Sequence, residues 1–119
     1  MEFASIVRAK LMVYGQSKKT ISNDARLAAV RIALFEGYPA TAFDKPLLDD
    51  GEATSTGHHP GYFEALYRSR LNDFIPQCTA LSEYKKGDKA KGTLYEIDIN
   101  ILQLRKDLEK NGIRKKMGI

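Results

Sequence analysis

Apolar and polar positions alternate in two incompatible ways near the N-terminus. Phe3, Val7, Leu11 and Tyr14 fall on one helical stripe, while Phe3, Ser5, Val7, Ala9, Leu11 and Val13 share one face of a strand. Gly15 suits the position after a helix C-cap, so the preferred reading is a helix over 3–14, with a strand as the alternative. The next element is clearer. Over 18–36, Leu27, Val30 and Leu34 make one stripe and Ala28, Ile32 and Phe35 the adjacent one, which predicts a central helix with a wide apolar face. Gly37 and Pro39 end it. Residues 38–60 hold Pro39, Pro46, Gly51, Gly57 and Pro60 and are expected to form a long irregular loop. A helix from about 61 to 74 follows, with Phe63, Leu66, Tyr67, Arg70 and Phe74 on one face, between Pro60 and Pro76.

Residues 93–111 again carry both periods. Tyr95, Ile97, Ile99 and Ile101 alternate with Glu96, Asp98 and Asn100 as in a strand, yet Leu94, Ile97, Ile101, Leu104 and Leu108 have heptad-like spacing. Thr93 with Glu96 has the form of a capping box, and Arg105, Lys106 and Lys110 sit where a helix dipole favours cations. Asn111-Gly112 is a C-terminal stop. These local signals favour a helix; a strand near 93–99 is the alternative. The expected fold is therefore mostly α, a compact bundle of about four helices in one domain spanning 1–119, with the loop at 38–60 and a basic tail at 113–119. If residues 93–99 are a strand, the class becomes α+β.

Composition narrows the function classes. The chain has 119 residues, 43% of them hydrophobic and 29% charged, which is ordinary for a globular domain. No apolar run approaches the ~20 residues that span a bilayer, so no membrane partner is expected. The start, MEFASIVRAKLMVYG, lacks the basic-then-apolar layout of a secretory signal. Cys78 is the only cysteine, which rules out an internal disulfide and cysteine-rich zinc sites. An intracellular, reducing, cytoplasmic setting follows as the expectation. The net charge of +4 permits an acidic or nucleic-acid partner without requiring one. Its distribution is uneven: bases concentrate at 85–91 and 105–116, acids at Asp44, Asp49, Asp50 and Glu52.

One short stretch carries a motif. Read from Gly15, GQSKKTISND has the spacing Gly-x-Ser-x-x-Thr-Ile-Ser-Asn. It resembles the turn and recognition-helix start of helix-turn-helix DNA-binding proteins, over residues 6–27. The resemblance implies that glycine swings the second helix away from the first, that Ser17 caps it, and that Ile21 turns inward. Groove-facing candidates are then Lys18, Lys19, Thr20, Ser22, Asn23 and Arg26, the lysines mainly neutralising phosphate. Gln16 and Leu11 depart from the family pattern, which has a buried aliphatic residue and a small alanine there. The bland alternative is an ordinary helix cap at Ser17 or at Ser22-Asn23-Asp24.

Lys85, Lys86, Arg114, Lys115 and Lys116 join these candidates if the fold gathers them on one phosphate-tracking face. Other constellations are weaker. His58-His59 is too small a set for a metal, Asp49, Asp50 and Glu52 lack calcium-loop spacing, and Cys78 has no nucleophile motif around it. GDKAKGT lacks the order of a phosphate-binding loop. No catalytic, metal or cofactor site is expected. The sequence thus points to a small basic nucleic-acid-binding protein, a DNA-binding regulator using helix 18–36. The alternative is a non-enzymatic protein-interaction module, an adaptor or inhibitor of viral or mobile-element origin. It would bind a larger protein assembly, or a second copy through Leu94, Ile97, Ile101, Leu104 and Leu108.

Overall fold

Strand pairing overrides the helical readings near both ends of the chain. A computed structural model describes residues 6–14, 18–81 and 92–114. Strand β1 is Ile6–Val13, followed by helix α1, Lys18–Phe35, α2, Glu52–His58, and α3, Pro60–Ala65. Strands β2, Gln77–Ala80, and β3, Thr93–Asn100, precede the last helix, α4, Ile101–Lys110. The three strands make one antiparallel sheet in the order β1–β3–β2. The fold is therefore mixed α and β, and the expected four-helix bundle is overturned.

Two corrections explain the difference. Residues 6–13 adopt the strand alternative: Val7 is buried, Ala9, Leu11 and Val13 are partly buried, and Arg8, Lys10 and Met12 are exposed. β-Branched Ile6, Val7 and Val13 suit that conformation, and pairing with β3 across Ile6↔Asn100 to Val13↔Thr93 supplies the ladder. A strand thus stands where the helix-turn-helix resemblance implies a first helix. In β3, Thr93, Tyr95, Ile97 and Ile99 are all buried. Thr93 is no helix cap; the N-cap of α4 is Asn100, whose side chain accepts from the Gln103 amide at 3.0 Å. Strand leads straight into helix, so Ile97, Ile101, Leu104 and Leu108 fill this chain's own core. They form no seam for a second copy.

Helix α1 is the centre of the core. Ile21, Ala25, Ala29, Val30, Ala33 and Leu34 are buried against the sheet and the segments that wrap it, while Leu27, Ile32 and Phe35 are only partly buried. The expected irregular loop at 38–60 has defined work. Gly37, at φ +85, turns the chain, and the amides of Leu47 and Leu48 donate to the Ala33 and Leu34 carbonyls at 3.1 and 2.9 Å. These bonds satisfy acceptors that a helix end leaves open. The second half of the segment is α2, where Glu52 pairs with both guanidinium arms of Arg31 and accepts from the Tyr67 hydroxyl. Helix α3 starts at Pro60 and continues through a π turn at Leu66–Arg70 and a 3-10 turn at Leu71–Asp73. Phe63 packs among Phe35, Tyr62 and Tyr67. Arg70 and the Tyr62 hydroxyl both bond to Asp107, which ties this helix to α4.

Candidate functional site

Among the described residues, every arginine but one lies beside a carboxylate. Of seven arginines, Arg8, Arg31, Arg68, Arg70, Arg105 and Arg114 each lie within 4.0 Å of a carboxylate. Arg26 has no such partner among the described residues. It is partly buried on α1, and its Nη1 donates to the Ser22 hydroxyl, one turn earlier, at 2.7 Å. Tyr95, on β3 and almost fully buried, lies close enough for Ser22 and Arg26 to influence its hydroxyl. Cys78, on the neighbouring strand β2, feels the same guanidinium.

Arg26, Ser22, Tyr95 and Cys78 thus form a cluster between the first half of α1 and the β3–β2 side of the sheet, in which two hydroxyls and a thiol neighbour one cation. Burial raises the Tyr95 hydroxyl above the usual tyrosine range, and Arg26 and Ser22 work against that shift. Burial likewise raises the Cys78 thiol, again opposed by Arg26. Such a cluster is chemically suited to an anion, since a guanidinium offers a planar fork of donors matched to phosphate or carboxylate oxygens.

The sequence candidates divide around this cluster. Ser22 and Arg26 form it, and Thr20 and Asn23 are exposed on the first turns of α1 beside it. Lys18 and Lys19 begin α1, but their side chains, like residues Lys85, Lys86, Lys115 and Lys116, lie outside the described residues. The chain that holds Lys85 and Lys86 leaves the sheet at Leu81 and rejoins it at Gly92, at the end where Val13 pairs with Thr93. That is also the end from which the chain passes into α1. Arg114 is elsewhere. Its Nε donates to the Leu47 carbonyl at 2.9 Å, and Leu47 is bonded to Ala33 near the far end of α1. Fourteen helical residues separate Lys19 from Ala33, roughly 20 Å. Arg114 and the start of α1 therefore stand near opposite ends of that helix. Tyr95 is the residue that sequence reasoning missed, because the helical reading of 93–111 hid which side it faces.

The outer face of the sheet is built in rows. Arg8 makes two hydrogen bonds to Asp98, at 2.7 and 3.0 Å, and Lys10 stands opposite Glu96. The last row is different: Met12 pairs with Leu94, and the Leu81 amide donates to the Leu94 carbonyl at 2.7 Å. Beyond it, the Tyr14 ring lies on Gly92, where a Cβ would come within 2.9 Å of two ring carbons.

A cleft of about 300 Å³ is lined by residues that include Asp49, Asp50, Ser55, His58, His59 and Arg114. No group of three or more histidine, cysteine, aspartate or glutamate side chains among the described residues is placed to hold a metal. Cys78 and the two histidines belong to different sites, so no cysteine–histidine pair forms. No helix in the described residues is long and apolar enough to cross a membrane. The chain matches no protein-family model, no curated protein and no solved structure.

Proposed function

We propose that this chain is a small, non-enzymatic nucleic-acid-binding protein of the cell interior, a regulator in the simplest case, that anchors a backbone phosphate on Arg26. The observation that carries this reading is a guanidinium with no carboxylate partner among the described residues. A partly buried cation gives up hydration, and an incoming anion would restore what it lost. Thr20, Ser22 and Asn23 add hydrogen-bonding side chains around it, and Lys18 and Lys19 add charge. The lysines of 82–91, on chain that leaves and rejoins the sheet at the same end, supply sequence-independent attraction. Contact comes from the first half of α1, where Thr20, Ser22, Asn23 and Arg26 lie; the second half carries the bonds to Leu47 and Leu48 and the Arg31–Glu52 pair.

The test is retention of a labelled random-sequence duplex, with the single strand alongside, across a salt series. Affinity should fall linearly with the logarithm of salt concentration, and charge reversal at Lys18 and Lys19 should weaken binding and flatten that slope. Absence of retention on either substrate at low salt would end this reading.

A further inference from the structure

We propose that the outer edge of β1 takes a fourth strand from another protein, an extended segment that alternates acidic with apolar residues. This surface is independent of Arg26 and goes beyond the nucleic-acid reading. In the order β1–β3–β2, β1 is an edge strand, and its eight residues pair with β3 alone among the described residues. No backbone hydrogen bond joins its other side to a described residue. A row of open N–H and C=O groups of that length is a template for a further strand. Its sequence, IVRAKLMV, holds no proline or glycine to interrupt pairing.

The two faces of β1 define what fits beside it. On the outer face Arg8, Lys10 and Met12 stand in line, all exposed. The acids that match them, Asp98 and Glu96, lie across on β3, away from the open edge. A fourth strand lies about 5 Å beyond β1, so it meets the two cations directly and the acids only from one strand farther off. Acidic residues opposite Arg8 and Lys10 continue the charge order across the sheet as acid, base, acid. Opposite charges on neighbouring strands stabilise such a ladder. On the inner face Val7 is buried, whereas Ala9, Leu11 and Val13 remain partly open. Apolar residues at the intervening positions of the incoming segment cover them.

The same cations turn away a second copy. Two β1 strands paired antiparallel about a two-fold axis keep each face of the joint sheet continuous. In the registers nearest full overlap, Arg8 of one copy then meets Lys10 of the other, or Lys10 meets its own counterpart. Either register sets like charges directly opposite, which destabilises the pairing.

The experiment titrates the full chain, at low salt, into two fluorescein-labelled peptides of about eight residues and follows anisotropy. One peptide alternates glutamate with valine, the other lysine with valine. The wild type should prefer the glutamate peptide by at least about ten-fold, and Lys10→Gln should lose about three-fold of that preference with its thermal midpoint unchanged. N-methylation of the glutamate peptide at every second residue should abolish binding in one of the two possible patterns and spare the other, because one edge of the peptide bonds to β1. Equal affinity for the two peptides, no binding of either up to about 1 mM, or tolerance of both methylation patterns overturns the proposal. A wild-type dimer in light scattering that excludes the peptide also overturns it, because the edge then belongs to a second copy. The Arg26 reading is decided separately, by the oligonucleotide titration.

Discussion

Arg26 donates to the Ser22 hydroxyl at 2.7 Å, one turn back along α1, and it meets no carboxylate among the described residues. The groups that neighbour the guanidinium, the Ser22 hydroxyl, Tyr95 and Cys78, carry no charge. Orientation without neutralisation separates Arg26 from Arg31 and Arg70, whose carboxylate partners serve the fold.

Cys78 reports on that cluster. Burial raises its thiol above the ordinary range and Arg26 only partly offsets the shift, so its thiolate fraction is below that of a free cysteine at the same pH. Labelling by a disulfide reagent should run several-fold slower than for free cysteine and should still be accelerating as pH rises past the normal thiol range. Saturating oligonucleotide should slow it further. A rate equal to that of free cysteine, indifferent to oligonucleotide, would contradict the placement.

The carboxylate clamps set the acid limb of stability. Burial pushes Asp107 up, but its bonds to Arg70 and Tyr62 outweigh that and leave it below the usual aspartate range. The Arg31 hydrogen bonds lower Glu52. Both groups are depressed in the folded state, so their contribution is complete above the unfolded values of about 4 and disappears as pH falls through the folded ones. Urea midpoints should therefore drop from about pH 5 downward, and Asp107→Asn with Glu52→Gln should flatten that drop. At neutral pH, Asp107→Asn alone should cost about 1–3 kcal/mol.

Two glycines with similar φ should respond differently to alanine. Gly37 and Gly51 lie at +85 and +82. Around Gly51 a Cβ meets open space, so Gly51→Ala should cost only the conformational term, about 1–2 kcal/mol. At Gly37 the Cβ would run into the Asp44 and Lys45 backbone, which cannot give without releasing the cap on α1. Gly37→Ala should cost at least about 3 kcal/mol in urea unfolding. Equal costs would show that 38–48 does not brace the helix end.

Helix α4 should be sensitive at Asn100 and not at Thr93. Asn100→Ala removes the hydrogen bond to the Gln103 amide and should cost about 1 kcal/mol. Thr93→Val keeps a β-branched side chain in a buried strand position and should leave far-ultraviolet helicity unchanged. Reversed sensitivities would restore the capping box at Thr93 and Glu96.

The contrast between Thr93 and Asn100 also shows how far the sequence could be read. Helix α1 and the boundaries at Gly37 and Pro60 were legible because long periodic patterns and strong breakers agree. Residues 93–108 misled because Ile97, Ile101, Leu104 and Leu108 satisfy heptad spacing across a strand–helix junction; only pairing with β1 and β2 reveals the break. β1 misled for the same reason, since its Phe3–Val7–Leu11 stripe and its alternation use the same residues. Ser22 and Arg26 were found through a motif whose first helix is a strand here. Their real connection runs through Tyr95, a long-range neighbour that no local pattern announces. Arg114 was grouped with the lysines on charge alone, and the fold sends it to the other end of α1.

The account stands or falls on Arg26. The decisive measurement is single-stranded oligonucleotide affinity over a salt series for the wild type, Arg26→Gln and Arg68→Gln, the last an exposed arginine on the π turn paired to Glu64. The expected result is about a ten-fold loss for Arg26→Gln, with the salt slope reduced by about 0.7, and no more than a two-fold loss for Arg68→Gln. Equal effects of the two substitutions, with thermal midpoints unchanged, would contradict it.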